Sequence, residues 1–118
     1  MSRMDLPEHY VNLRKNYEEY MEALAGLGEA AAKQGPLDIR TSHLVQLAAG
    51  VAIRSEGAVH SHARQALQAG ATSGEIKHVV ILLTSTVGFP TVAAALSWVD
   101  DVLEDRSSQE PSDSGRLK

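Results

Sequence analysis

Apolar residues recur along the first quarter of the chain at alternating steps of four and three: Leu6, Tyr10, Leu13, Tyr17, Tyr20, Leu24 and Leu27. That rhythm predicts one amphipathic helix with a heptad-like seam. Pro7 and Glu8 suit its first turn, where proline lacks nothing that the turn would have used and a carboxylate meets the helix dipole. The seam calls for a second helix beside it, either in the core of the same subunit or across a subunit boundary. Its three tyrosines can keep their hydroxyls wet at the edge and are not read as catalytic. Gly26 and Gly28 weaken the end of this helix, residues 29–34 add a short turn, and Gly35-Pro36 breaks the chain. Residues 1–6 read as a frayed start.

A new helix follows, capped by Asp38 or Thr41, with Leu44, Leu47, Ala48 and Val51 as its apolar face up to about Arg54. Ser55 serves as the next N-cap with Glu56 in the first turn, and this divides what pattern alone would allow as one long helix over residues 44–69. Gly70 stops the helix that Ser55 opens. Thr72 and Glu75 form a capping box that launches Ile76, Val79, Val80 and Leu83. Gly88-Phe89-Pro90 ends that element, and a last helix runs from about Thr91 to Leu103 with Val92, Leu96, Val99 and Leu103 inward and Trp98 to one side. The remainder, residues 106–118, is polar and rich in Ser, and reads as a disordered tail. No alternating strand pattern with turn chemistry is present, so the fold class is all-α, a single domain over residues 1–105 with five to six helices and no clear internal repeat.

Composition sharpens this picture. Of 118 residues, 43% are hydrophobic but only 4% aromatic, which describes thin, close-packed helical layers of Leu, Val, Ile and Ala. So small a core gains from association, and a homo-oligomer is expected. A formal charge of −4 with mixed signs leaves no basic patch for nucleic acid. No apolar run reaches the ~18 residues of a membrane helix, and the first residues lack a signal-peptide core, so a cytoplasmic protein with no membrane partner is expected. Cysteine is absent, which excludes disulfides, thiolate metal sites and thiol redox chemistry.

The chemistry-bearing residues concentrate in the stretch over residues 55–70, which holds two of the five histidines. On a helix Ser55, Ala58, His62, Ala66 and Ala69 share one small-residue face, while His60 points to the far side. The two histidines therefore cannot hold one metal. His62, among small neighbours where a cavity could form, is a candidate acid or base, or else a buried histidine bonded to a backbone carbonyl. If His43 on the preceding helix met it, two imidazoles in an apolar setting would resist double protonation and could divide acid and base roles. Glu56, His60 and Arg64 recur every fourth residue, either as a solvated row of i, i+4 pairs or as a site at a subunit boundary. A metal centre from Glu56 and His60 with His43 or His78 rests on only two ligands at helical spacing, so no metal and no cofactor are expected. A Ser-His nucleophile at Ser55 lacks an elbow or oxyanion motif, and capping explains the serine. Thr84, Ser85 and Thr86 could line a pocket with Phe89 and Trp98, or bond carbonyls one turn back.

The residues Leu37-Asp38-Ile39-Arg40-Thr41 into Leu44-Val45-Gln46-Leu47-Ala48, then Glu56, His62-Ala63-Arg64-Gln65-Ala66-Leu67, Ala69-Gly70-Ala71-Thr72-Ser73-Gly74-Glu75-Ile76 and Gly88-Phe89-Pro90 form a signature. It resembles the carboxymuconolactone decarboxylase and AhpD-like alkylhydroperoxidase superfamily over roughly residues 36–104. The resemblance implies an all-helical AhpD-like domain, usually assembled as a homotrimer or homohexamer.

The peroxidase branch of that superfamily carries a Cys-x-x-Cys pair, a histidine shortly after it and a glutamate one helix upstream. Here those cysteine positions match Ser55 and Ala58, the glutamate position matches His43, and the histidine is His62. A serine hydroxyl does not cycle through a sulfenic acid or disulfide, so thiol peroxidase activity is chemically untenable. The decarboxylase branch lacks the cysteines and is similar in the spacing of Glu56 and His62. Its implied chemistry is proton transfer on a small organic acid or lactone, with His62, His43 and Glu56 as candidate catalytic residues. The other expectation, from a different class, is an AhpD-like scaffold without catalysis that serves as a binding or assembly module.

Overall fold

The computed structural model describes residues 7–109, with side chains through Asp105. The frayed start read over residues 1–6, with Leu6 of the seam, and the tail beyond Gln109 lie outside the described residues. Those residues form α1 (Glu8–Asn16), α2 (Glu18–Ala32), α3 (Ile39–Ala52), α4 (Glu56–Gln68), α5 (Ser73–Leu82), the single turn α6 (Thr84–Val87) and α7 (Phe89–Gln109). All described elements are helical, as expected.

Two helix stops shape the centre of the chain, and both have the Schellman pattern, in which two backbone N–H groups past the end fold back onto orphan carbonyls. After α4, Ala71 N donates to Ala66 O at 2.9 Å and Gly70 N to Leu67 O at 3.0 Å, with Gly70 at φ 104°. After α3, Ser55 N donates to Gly50 O and Arg54 N to Val51 O, both at 2.9 Å. Here the left-handed position is held by Arg54 at φ 59°, the one non-glycine residue with positive φ among those described. Each stop is followed at once by a capped start. Ser55 accepts from Ala58 N at 3.2 Å to open α4, and Thr72 with Glu75 closes a complete capping box to open α5. Asp38, rather than Thr41, caps α3, accepting from Thr41 N at 2.7 Å, and hydrogen bonding from the Thr41 side chain, then from its backbone N–H, holds the Asp38 carboxyl below the usual range.

These joints fold α3 back along α4, and α5 and α7 close the core. Leu47 and Val51 of α3, Val59, Ala63 and Ala66 of α4, Ile76 and Val80 of α5, and Val92, Ala95, Val99 and Val102 of α7 are all buried. Leu44, Val79, Leu83, Leu96 and Leu103 pack half-buried around them. The core is therefore thin and aliphatic, and small residues set how closely its layers approach. At Gly50 that approach is tightest. A Cβ added there would lie 3.1 Å from Ala58 Cβ and 3.3 Å from Val59 N, so α3 touches the backbone of α4 at this point.

The N-terminal region departs from the sequence reading. The single long helix is two, divided at Tyr17, whose φ of −137° and ψ of 55° leave the helical region. Of α2 only Met21 is buried, while Tyr17, Tyr20, Leu24 and Leu27 are 49–67% exposed. The apolar seam is therefore not part of this subunit's core. The last helix is longer than read, beginning at Phe89 and running to Gln109, four residues into the stretch taken as tail.

Gly50→Val places two further carbons where α4 already leaves no room, and should lower stability by about 1–3 kcal/mol. A thermal melt checks this. An unchanged melting temperature would mean that α3 and α4 do not meet as closely as described.

Candidate functional site

The seam that Gly50 closes carries the candidate site. His43 precedes Gly50 on α3 by seven residues, two helical turns, and His62 follows Ala58 on α4 by four, about one turn, so both histidines stand on the facing sides of these helices. Their rings meet. The two Nδ1 atoms lie 3.1 Å apart, with ring centroids at 5.3 Å and planes tilted by 30°. Both residues are half-buried.

A contact between two imidazole Nδ1 atoms constrains the protons. One Nδ1 must carry a hydrogen and donate it, and the other must present a lone pair. In the neutral pair the donor ring is then bare at Nε2, while the acceptor ring carries its proton at Nε2. The two outer nitrogens thus differ by construction, one a base and the other an acid, without either ring being charged. Burial pushes both imidazoles below the ordinary histidine value, and for His62 the facing His43 adds to that effect. The neutral pair is therefore favoured near pH 7. Two interacting rings titrate as a unit, so any apparent values belong to the pair.

Glu56 is not brought to this pair. Six residues separate it from His62 on α4, a rotation of about 240°, and its carboxylate faces His60 Nε2 at 3.8 Å instead. His60 in turn contacts Asp101 Oδ2 of α7 at 3.2 Å, so Glu56, His60 and Asp101 gather within 4.8 Å of one another. The metal reading that joined Glu56 and His60 to His43 or His78 is corrected in its third member: His43 goes to His62, and His78 is exposed on α5. Asp101 was missed because only the packing of α7 against α4 brings it near, and no spacing within the chain signals that. Ser55 caps α4, and Thr84 Oγ1 donates to Ile81 O at 2.7 Å, so both hydroxyls serve the backbone. Phe89 is 65% exposed, and Trp98 packs half-buried against the core.

Among the grooves that the described residues form, two stand near these helices. One of about 390 Å³ lies between the end of α2 and α3, lined by Ala31, Ala32, Leu37 and Val45 among others. The other, about 660 Å³, lies between α1 and α4 and includes Arg14, Glu56, His60 and Arg64. Neither is lined by His43 or His62. Among the described residues no helix is long and apolar enough to cross a membrane.

Comparison with known proteins gives a consistent set of likenesses. A sequence model of the carboxymuconolactone decarboxylase family matches residues 18–101. An uncharacterized protein of Haemophilus influenzae is 39% identical over 54 residues, 46% of this chain and 48% of that protein, so the chain spans about half of it. The uncharacterized protein MJ1511 of Methanocaldococcus jannaschii is 29% identical over 94 residues, 80% of this chain and 88% of its own length. The crystal structure of apo-lpg0406, a carboxymuconolactone decarboxylase family protein from Legionella pneumophila, superposes with a TM-score of 0.69 at 26% identity, covering 81% of this chain and 86% of that one.

The depressed histidines make stability depend on pH with a definite sign. In the unfolded chain they take up protons near their ordinary value of 6.5, while the folded pair resists protonation to a lower pH. The unfolded state therefore binds more protons in that window, and stability falls as pH drops below about 6.5. Melting temperatures between pH 8 and 5 should show this decline, with a shallower slope in the double variant His43→Gln/His62→Gln. Equal slopes in both proteins would place the pH dependence elsewhere.

Proposed function

The chain belongs to the carboxymuconolactone decarboxylase family, and on that premise we propose that it is a cysteine-independent acid/base catalyst acting on a small carboxylate or lactone, with His43 and His62 as the working pair. The observation that carries this reading is the 3.1 Å approach of the two Nδ1 atoms. It supplies one bare and one protonated Nε2, both outside the shared bond. A bare imidazole nitrogen can take a proton from a carbon next to a lactone or carboxyl carbonyl, and the protonated one can return it. Loss of carbon dioxide from such a carbon follows the same logic. The breaking C–C bond leaves its electron pair conjugated with the carbonyl, and the Nε2 proton is delivered to that carbon.

Acid/base chemistry at the pair needs no redox partner, in keeping with a chain that has no cysteine. Half-burial suits the task, because a neutral imidazole is both a better base than its protonated form and less costly to desolvate. Glu56 is left out of this chemistry by its place on the far side of α4.

A second reading is favoured by a different observation. Tyr20, Leu24 and Leu27 of α2, with Leu37, Ile39 and Val45, are 49–67% exposed, a large apolar area for one small domain. A second copy of this chain is its natural cover, in a cytoplasmic homotrimer or homohexamer. If the histidines only pack the α3–α4 seam, the protein is an AhpD-like scaffold without peroxidase activity that binds or assembles.

Deuterium exchange separates the two without a known substrate. The full chain is incubated in D2O with a panel of γ-lactones and small carboxylates, and the signal of the carbon-bound proton next to the carbonyl is followed by NMR. Catalysis predicts accelerated exchange in at least one compound and a drop of about 10²-fold in His62→Gln and in His43→Gln. Exchange no faster than in buffer for every compound, with the protein folded, would leave the scaffold.

A further inference from the structure

Glu56 and His60 stand four residues apart on α4, the spacing at which two side chains of one helix reach the same place above its surface. Asp101 comes to that place from α7. The shared core carries it there, since Val59 and Ala63 of α4 pack in one cluster with Val99 and Val102, which flank Asp101 on α7. Its neighbour Asp100 turns instead to Lys77 at 3.4 Å. One imidazole nitrogen and two carboxylate oxygens are thereby gathered. His60 Nε2 lies 3.2 Å from Asp101 Oδ2 and 3.8 Å from Glu56 Oε2, and all three atoms fall within 4.8 Å of one another. Glu56 and His60 also line the groove of about 660 Å³ between α1 and α4, so the cluster borders a space that small molecules can enter.

Distance, charge and donor type all suit a metal ion. Donors held at ~2.0–2.1 Å by a four-coordinate zinc ion stand about 3.3–3.4 Å from one another. The His60–Asp101 contact is close to that separation, and the Glu56 side chain, 56% exposed, is free to close the remaining side. With two carboxylates to one imidazole the cluster stays net negative whether or not the ring carries a second proton, which favours a dication over a lone ion pair. Arg64, one turn further along α4, meets the charge of Asp105, one turn further along α7, so this nearby cation has an acid of its own. A mixed nitrogen and oxygen donor set belongs to first-row dications rather than to Mg2+, which prefers oxygen alone.

We propose that Glu56, His60 and Asp101 bind a divalent transition-metal ion, with Zn2+ as the type, and leave a coordination position for water or a small oxygen ligand in the groove. On binding, His60 gives up the hydrogen at Nε2 and keeps its ring proton at Nδ1, so the contact with Asp101 is exchanged for bonds from both residues to the metal. The expectation of no metal rested on the two ligands that one helix supplies, and α7 adds the third. The site is separate from the histidine pair. His60 and His62 differ by two residues on α4, which turns them about 200° apart, so this inference and the acid/base reading can each fail alone.

The test adds zinc chloride to the metal-free full chain, with affinity read by calorimetry and the histidine rings by long-range 1H–15N NMR. The expected result is one equivalent bound with a dissociation constant below ~100 μM, and His60 converted to its Nδ1–H form at saturation. Affinity should fall about tenfold or more in Asp101→Asn and in His60→Gln, and severalfold in Glu56→Gln. The double variant His43→Gln/His62→Gln should bind as the parent does, and ~10 mM Mg2+ should not displace the zinc. No saturable binding up to ~1 mM zinc, a His60 ring that keeps its Nε2 hydrogen at saturation, or equal affinity in the parent and both the Asp101 and His60 variants would overturn the proposal. Loss of binding in the His43/His62 double variant would place the ion at that pair and overturn it too. Displacement by Mg2+ would mean that the carboxylates act without the imidazole, which overturns the donor set. If the Asp101 or His60 variant does not fold, the parent's His60 signal and the exposed Glu56→Gln variant decide.

Discussion

The closeness of α3 to α4 at Gly50 is the constraint on which the rest of the structure depends. With no side chain there, the backbone of α3 rests against Ala58 and Val59, and the two helices stay near enough for His43 and His62 to touch along the same seam. The Schellman stop at Arg54 and the Ser55 cap turn the chain within a few residues, so the contact forms between sequential helices at little cost in loop entropy. The aliphatic layer beneath, from Leu47 and Val51 to Val99 and Val102, keeps this hairpin rigid.

The proposed chemistry rests on that geometry. Two imidazoles that share one proton through Nδ1 differ at Nε2, and burial lowers the affinity of both for a second proton. An acid and a base arise from two identical side chains, because the hydrogen bond between them breaks their equivalence. A chain without cysteine cannot run a thiol redox cycle, and Ser55 and Ala58 at the start of α4 serve instead as a capping serine and an alanine packed close to Gly50.

Much of the fold was legible because local signals agreed with the tertiary result. The Thr72–Glu75 box, the Ser55 cap, the Gly70 stop and the apolar faces of α3, α4, α5 and α7 each act within a few residues, and sequence spacing reports such effects directly. The meeting of His43 with His62 was legible only as a conditional, since His62 lies on a small-residue face of α4 and His43 stands on the helix before it. What was hidden depended on distant packing or on the absence of it. Nothing near Tyr17 announces that the first helix divides, because the apolar rhythm continues straight through the break. Arg54 in a left-handed conformation carries no glycine signal. Asp101 joins His60 only through the α4–α7 contact, while the i, i+4 spacing on α4 itself sets Glu56 beside His60 rather than His62. The seam of α2 read as an interior face because periodicity reports that a face is apolar, and not whether this subunit covers it.

The most direct test of the account is the proton arrangement of the histidine pair. Long-range 1H–15N correlation of the imidazole rings near pH 7.5 reads which nitrogen of each ring is protonated. Opposite tautomers, one ring protonated at Nδ1 and its partner at Nε2, are what the 3.1 Å contact requires. Two rings both protonated at Nε2 and titrating independently near 6.5 would contradict it, and with it the division of acid from base on which the proposed chemistry stands.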